Sequence, residues 1–187
     1  MQTRPLIIIF STLSFFLFIT NISAQIIWSS DRPLVWSDFK GKRPHRSRFD
    51  AMTFSSIQYK LLYSTIDSSD AQVTCVFNAS RSWKKSNHLK PYLLKHEQVH
   101  FDIAELYARK TRQAFLKYKL QHDKYAHTDN WLRIVYRENL RKMRRCERKY
   151  DRQTRHSRRK EMQQEWNTKI LIQLNELKKF DLNPRSA

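Results

Sequence analysis

Residues 93–106 read LLKHEQVHFDIAEL. On an α-helix, at about 100° per residue, His96 and His100 project about 40° apart and share one face. Two imidazoles so placed reach one ion at zinc–nitrogen distances of about 2.0–2.1 Å. Glu97 projects to one side, badly placed as a ligand and well placed to take a proton from a zinc-activated water. The helix is expected because Leu93, Leu94, Val99, Ile103, Leu106 and Tyr107 recur at helical spacing, and Pro91 suits a first helical position. It is predicted to run from Pro91 to about Tyr118.

The texture changes on either side of this segment. Upstream, AMTFSSIQYKLLYST (51–65) and QVTCVFNAS (72–80) are rich in β-branched and aromatic residues and read as strands. Ile57, Tyr59, Leu61 and Tyr63 alternate, with a break near Phe54, and DSSDA (67–71) is a turn that makes the pair antiparallel. PLVWSDFKGKRPHRSRFD (33–50) reads as a short strand and a basic loop. Downstream, a second helix is predicted from the cap Asp129 or Asn130 to about Tyr150, and a third over about Arg158 to Phe180. Strands first and helices after give an α+β fold: a small antiparallel sheet packed on the H-E-x-x-H helix, with two further long helices, in the manner of zincins.

The first 24 residues carry one charge, Arg4, then an apolar run, then Ile22-Ser23-Ala24 before Gln25. This is the pattern of a signal peptide, so the chain is expected to be exported, periplasmic or secreted, with residues 25–187 as a single domain. An uncleaved membrane anchor is the alternative; the run is short for a span and is interrupted by Ser11, Thr12 and Ser14. The one glycine, Gly41, excludes glycine-rich phosphate loops. Outside the cytoplasm the two cysteines, Cys75 and Cys146, are expected to form a disulfide.

The net charge of +19 implies an anionic partner or surface, and export disfavours nucleic acid. Thirteen Lys or Arg lie between Arg133 and Lys160, opposed only by Glu138, Glu147 and Asp151. They read as a solvated helix face, or as a patch for an anionic envelope polymer or membrane surface.

A catalytic zinc needs a third protein ligand and an open position. The metzincin continuation is absent. Glu105, nine residues after His96, projects away from the pair and reads as a salt-bridge or supporting group. Glu138 on the next helix and the distant His156 both remain as candidates, and His122 and His127 read as surface loop residues.

LVWSDFKGK (34–42), VTCVFNASRSW (73–83), LLKHEQVHFDIAEL (93–106) and YDRQTRHSRRKEMQQEW (150–166) together resemble a bacterial family of unknown function described as predicted secreted zinc-dependent proteases. The resemblance implies His96, His100 and His156 as zinc ligands and Glu97 as the base. It implies Tyr150, Asp151 and Thr154 as supports, with Asp151 orienting an imidazole. Two departures are Val99, where glycine is common in the family, and Ser157, where His-Gly is frequent. The expected activity is hydrolysis of a peptide or protein substrate, its carbonyl polarised by zinc with help from Tyr150 or a nearby arginine. The competing expectation is a non-enzymatic basic module that binds the envelope, with a structural or vestigial metal site.

Overall fold

The computed structural model describes residues 25–63, 69–85, 89–121 and 128–182. The leader-like residues 1–24, the loop histidines His122 and His127 and part of the expected 67–71 turn lie outside the described residues. The elements in chain order are β1 (Gln25–Ile27), β2 (Ala51–Met52), β3 (Ser55–Tyr63), β4 (Ser69–Asn78), β5 (Trp83–Lys84), α1 (Pro91–Gln121), α2 (Thr128–Thr154) and α3 (Lys160–Glu176). The fold is α+β. One antiparallel sheet has the order β1-β4-β3, and β2 pairs with β5 in a second, two-stranded one.

The break in alternation near Phe54 is the gap between β2 and β3. There Phe54 leaves the ladder, its N–H donating to Ser82 Oγ at 2.9 Å and its carbonyl accepting from Asn78 N at 2.8 Å. The strand expected near residue 33 does not form. Asp38 accepts from Val35 N at 2.9 Å and pairs with Arg32 at 2.7 Å, which folds Trp36–Asp38 into a 3-10 turn. Gly41 is the one place where the backbone needs a missing side chain. A Cβ there would lie 2.7 Å from Ser80 O and 2.8 Å from Ser82 O. Without it, Gly41 N donates to Ser82 O at 2.7 Å and seats the 40–42 stretch beside β5.

The sequence gives α1 one apolar side, but the helix is buried nearly all round. His96, Glu97, Val99, Phe101, Ile103, Ala104, Glu105, Leu106, Ala108, Arg109 and Thr111 are all buried. The sheet covers one side, through contacts such as Phe77 on Phe101, and α2 and α3 cover others. α2 runs back along α1. Trp131, near its start, stacks on Tyr118, and Tyr150, near its end, stacks on His96. A helix enclosed in this way must pair the charges it carries. Glu105, 2% exposed, accepts from Arg109 Nε at 3.0 Å and from Arg112 Nη1 at 2.8 Å. Arg109 also binds Asp181 and donates to Leu174 O at 2.8 Å, and Arg112 donates to Val73 O at 2.9 Å and Phe180 O at 2.7 Å. The supporting role expected for Glu105 is thus corrected to the salt-bridge reading: it anchors α1 within this ionic cluster.

The expected disulfide is also corrected, because both cysteines are free. Cys75 is fully buried in β4, with Sγ 3.9 Å from Phe101 O. Cys146 lies on α2 beside Tyr107 and Lys110. Phe101 and Lys110 project about 180° apart on α1, so the helix stands between the two sulfurs.

Candidate metal centre

His96 and His100 sit on the face of α1 turned to the end of α2. Tyr150, fully buried, sets the two helices together there. Its ring stacks on His96 at 4.6 Å, meets His100 edge-on at 5.0 Å and touches Trp166 of α3 at 5.5 Å. Its hydroxyl donates to the backbone carbonyl of His96 at 3.3 Å. The hydroxyl expected to polarise a substrate carbonyl is therefore committed to the protein, and Tyr150 positions the histidines instead. Burial, with the charges of Glu97 and Asp151, pushes its phenol pKa well up, so the group stays a neutral donor.

The next residue, Asp151, enters the space between the imidazoles. Its Oδ1 lies 3.2 Å from His96 Nε2 and 3.1 Å from His100 Nε2. His96, His100 and Asp151 form a group able to hold a metal ion, with one ligand atom each, all within 4.8 Å of one another. Tetrahedral zinc with ligands at 2.0–2.1 Å has edges of about 3.3–3.4 Å, close to the two separations from Asp151 Oδ1 to the imidazole nitrogens. The remaining nitrogen of His96, Nδ1, is 3.2 Å from Oε1 of the buried Gln163 on α3. Gln163 thereby fixes the ring orientation of His96 and leaves Nε2 turned to Asp151. Two imidazole nitrogens converge on one carboxylate oxygen, an arrangement that suits a shared proton or a metal.

The proton affinities agree. Burial works to lower the His100 pKa, but the Asp151 hydrogen bond and charge, with Glu97 and Glu147, raise it to about 9. Burial works to raise Asp151, but the bonds from His100 and His96 and their charge hold it well below the usual carboxylate range. Glu147, one turn before Asp151, is raised chiefly by burial.

Glu97 is 4% exposed, and among the described residues no donor is placed against its carboxylate. Its backbone carbonyl accepts from Thr53 Oγ1 at 3.2 Å, which lays the β2–β3 corner over this turn of α1. His156 lies on the outer side. Its side chain is 46% exposed, its Nδ1 is 3.3 Å from Asp151 Oδ1, and its ring packs on Phe49 at 4.8 Å. It falls outside the three-residue group and reaches it through Asp151. Glu138 is far from any such role: it is exposed and paired with Lys142 at 2.7 Å.

His156 is held by an unusual turn. Arg155, His156 and Ser157 all have positive φ, at 50°, 52° and 70°. The turn is closed by His156 N on Asp151 O at 2.9 Å and Arg159 N on Thr154 O at 2.8 Å. A left-handed Ser157 gives a physical reason for glycine at this position.

Gln163, Glu147, Phe49 and Thr53 were not found by sequence reasoning. Gln163 alone carried a signal, as a polar residue among the core positions of α3.

The chain matches the family model described as a bacterial protein of unknown function (DUF922) over residues 40–157, more than half its length, and belongs to that family. No curated protein and no solved structure matches it.

Proposed function

We propose that this protein is an exported zinc-dependent peptidase. The observation that carries the reading is the convergence of His96 Nε2, at 3.2 Å, and His100 Nε2, at 3.1 Å, on the one oxygen Asp151 Oδ1. In this reading His96, His100 and Asp151 hold the metal. The roles expected of Asp151 and His156 exchange: Asp151 ligates, and His156 orients it from the solvent side. Zinc supplies Lewis acidity to a carbonyl oxygen and lowers the proton affinity of water. Glu97, unpaired and buried beside His100, accepts the proton of the attacking water and returns it to the leaving amine. β2 is an edge strand beside this turn of α1, so an extended peptide can lie along it by strand addition.

Zinc content of the purified protein tests the site. One zinc per chain is expected in the wild type, Glu97→Gln and Glu138→Ala, and loss in Asp151→Ala. Retention in Asp151→Ala with loss in His156→Ala restores His156 as the third ligand. Peptide hydrolysis by Glu97→Gln at the wild-type rate removes Glu97 as the base.

The second reading, a non-enzymatic module for an anionic envelope polymer or membrane, is favoured by one observation. All thirteen Lys and Arg side chains between Arg133 and Lys160 are exposed.

A further inference from the structure

Six of those thirteen cations share one face of α2. Arg133, Arg137, Arg141, Arg144, Arg148 and Arg152 are spaced 4-4-3-4-4, and Arg155 follows in the turn beyond the helix. At about 100° per residue the six stay within a sector of about 100° along the whole helix. The six on α2 make a ladder about 29 Å long, with a guanidinium every 4.5–6 Å or so. The line lies on the side of α2 away from the buried Leu132, Asn139, Met143, Tyr150 and Thr154. Lys142 and Lys149, also exposed, project about 110–130° from the centre of the row, on the adjoining side of the helix.

Like charges at i,i+3 and i,i+4 repel, so the ladder works against the helix that bears it. Little within the fold relieves it. Lys142 alone among the thirteen has an ion pair among the described residues, with Glu138, and Arg133 donates to Asn130 Oδ1 at 2.9 Å. The arrangement calls for an external run of anions. Arginine on every rung suits oxyanions taken two oxygens at a time.

The ladder leads to the metal centre. Arg152 follows Asp151, and Arg155 precedes His156 in the left-handed turn. We propose that α2 binds an acidic polypeptide segment along this ladder and guides it to the metal centre, so that an acidic peptide is the substrate class. The guiding half of the proposal rests on the peptidase reading; the binding half does not. Carboxylates on alternate residues of an extended strand are about 6.7 Å apart, a mismatch that long arginine side chains absorb. A bilayer is the weaker occupant, because Ile134 is the one large apolar side chain exposed on α2 and so the one available for insertion.

The test is binding of a fluorescent oligoglutamate, about ten residues to span the ladder, to zinc-loaded Glu97→Gln full-length protein. Anisotropy is read across a salt series. Binding that weakens steeply with salt is expected. Arg137→Gln/Arg141→Gln/Arg144→Gln should weaken it about tenfold or more, and Lys142→Gln/Lys149→Gln by less than about threefold. The charge-conserving set Arg137→Lys/Arg141→Lys/Arg144→Lys should also weaken it, by about threefold. Wild-type affinity in that lysine set overturns the ladder, as does binding to phosphatidylglycerol vesicles that exceeds binding to the peptide. Cleavage is read separately with the zinc-loaded wild type. Cleavage of neutral peptides by the wild type without oligoglutamate binding overturns the ladder and leaves the peptidase. Ladder-dependent binding with no peptide cleaved by the wild type supports the ladder and ends the peptidase reading.

Discussion

Replacing Glu105 by glutamine isolates the charge at the centre of the ionic cluster. The two side chains are nearly isosteric, so no cavity opens. What is lost is the negative charge and one acceptor: the amide oxygen can still take Arg109 Nε at 3.0 Å and Arg112 Nη1 at 2.8 Å, but an NH2 donor replaces Oε2, which took Arg112 Nη2 at 3.3 Å. Arg109 keeps Asp181, whereas Arg112 keeps only two backbone carbonyls and no carboxylate. Arg112 is 10% exposed, so its positive charge is left buried and unneutralised. Breaking a buried pair from one side costs about 3–5 kcal/mol. Against a total stability of about 5–15 kcal/mol this is a large share. At about 2–4 °C per kcal/mol for a chain of this size, the midpoint should fall by about 6–20 °C. Urea denaturation of protein stripped with chelator gives the free energy without a metal contribution. Glu138→Gln, in an exposed pair, serves as the control and should leave the midpoint unchanged. A loss under about 1 kcal/mol for Glu105→Gln, together with a weakened zinc affinity, would refute the reasoning and return Glu105 to the supporting role first expected of it.

Gln163→Leu removes the hydrogen-bond partner of His96 Nδ1 and should weaken zinc about 10–100-fold in competition with a chromogenic chelator. Tyr150→Phe should cost about 0.5–1.5 kcal/mol in urea denaturation and leave peptide turnover within a few-fold; a drop of about 10²–10³ would make the hydroxyl an oxyanion donor after all. Ser157→Gly relieves a φ of 70° and should stabilise by about 1 kcal/mol, seen as a higher melting temperature. Metal-free protein should lose stability as pH rises from 6.5 towards about 9, because the folded His100 holds its proton more tightly than the unfolded chain. On the acid side, depressed Asp151 contributes above its ordinary value of 3.8, and that contribution is lost as pH falls further. Excess zinc should remove the alkaline decline, since metal-bound imidazoles are unprotonated. A melting temperature flat from pH 6 to 9 without metal would contradict this account.

The parts legible in the sequence were those written in local spacing. His96, Glu97 and His100 declared themselves through helical periodicity, and β3 and β4 through alternation. Asp151 was visible as an attendant of the site but not as a member of the group that could hold a metal. Its place depends on Tyr150 stacking on His96 across two helices, which no spacing within α2 encodes. Gln163 comes from a third helix and was invisible for the same reason. Glu105 was placed by its projection away from His96, which left a salt bridge and a supporting role both open; the enclosure of α1 on several sides, which decides for the salt bridge, is not written in that spacing. The disulfide was inferred from a permissive compartment and a matching count; neither reports that α1 stands between the sulfurs.

The partners of Arg109 and Arg112 have a bearing on when the protein becomes whole. Leu174 and Asp181 follow Arg109 by 65 and 72 residues. At about 5–20 residues per second, the ribosome delivers them some 3–14 s after the arginine. Until then Arg109 lacks Leu174 O and Asp181, Arg112 lacks Phe180 O, and the helical half of the molecule has no closed interior. The helical core therefore stays unsealed until α3 and the residues just after it are made.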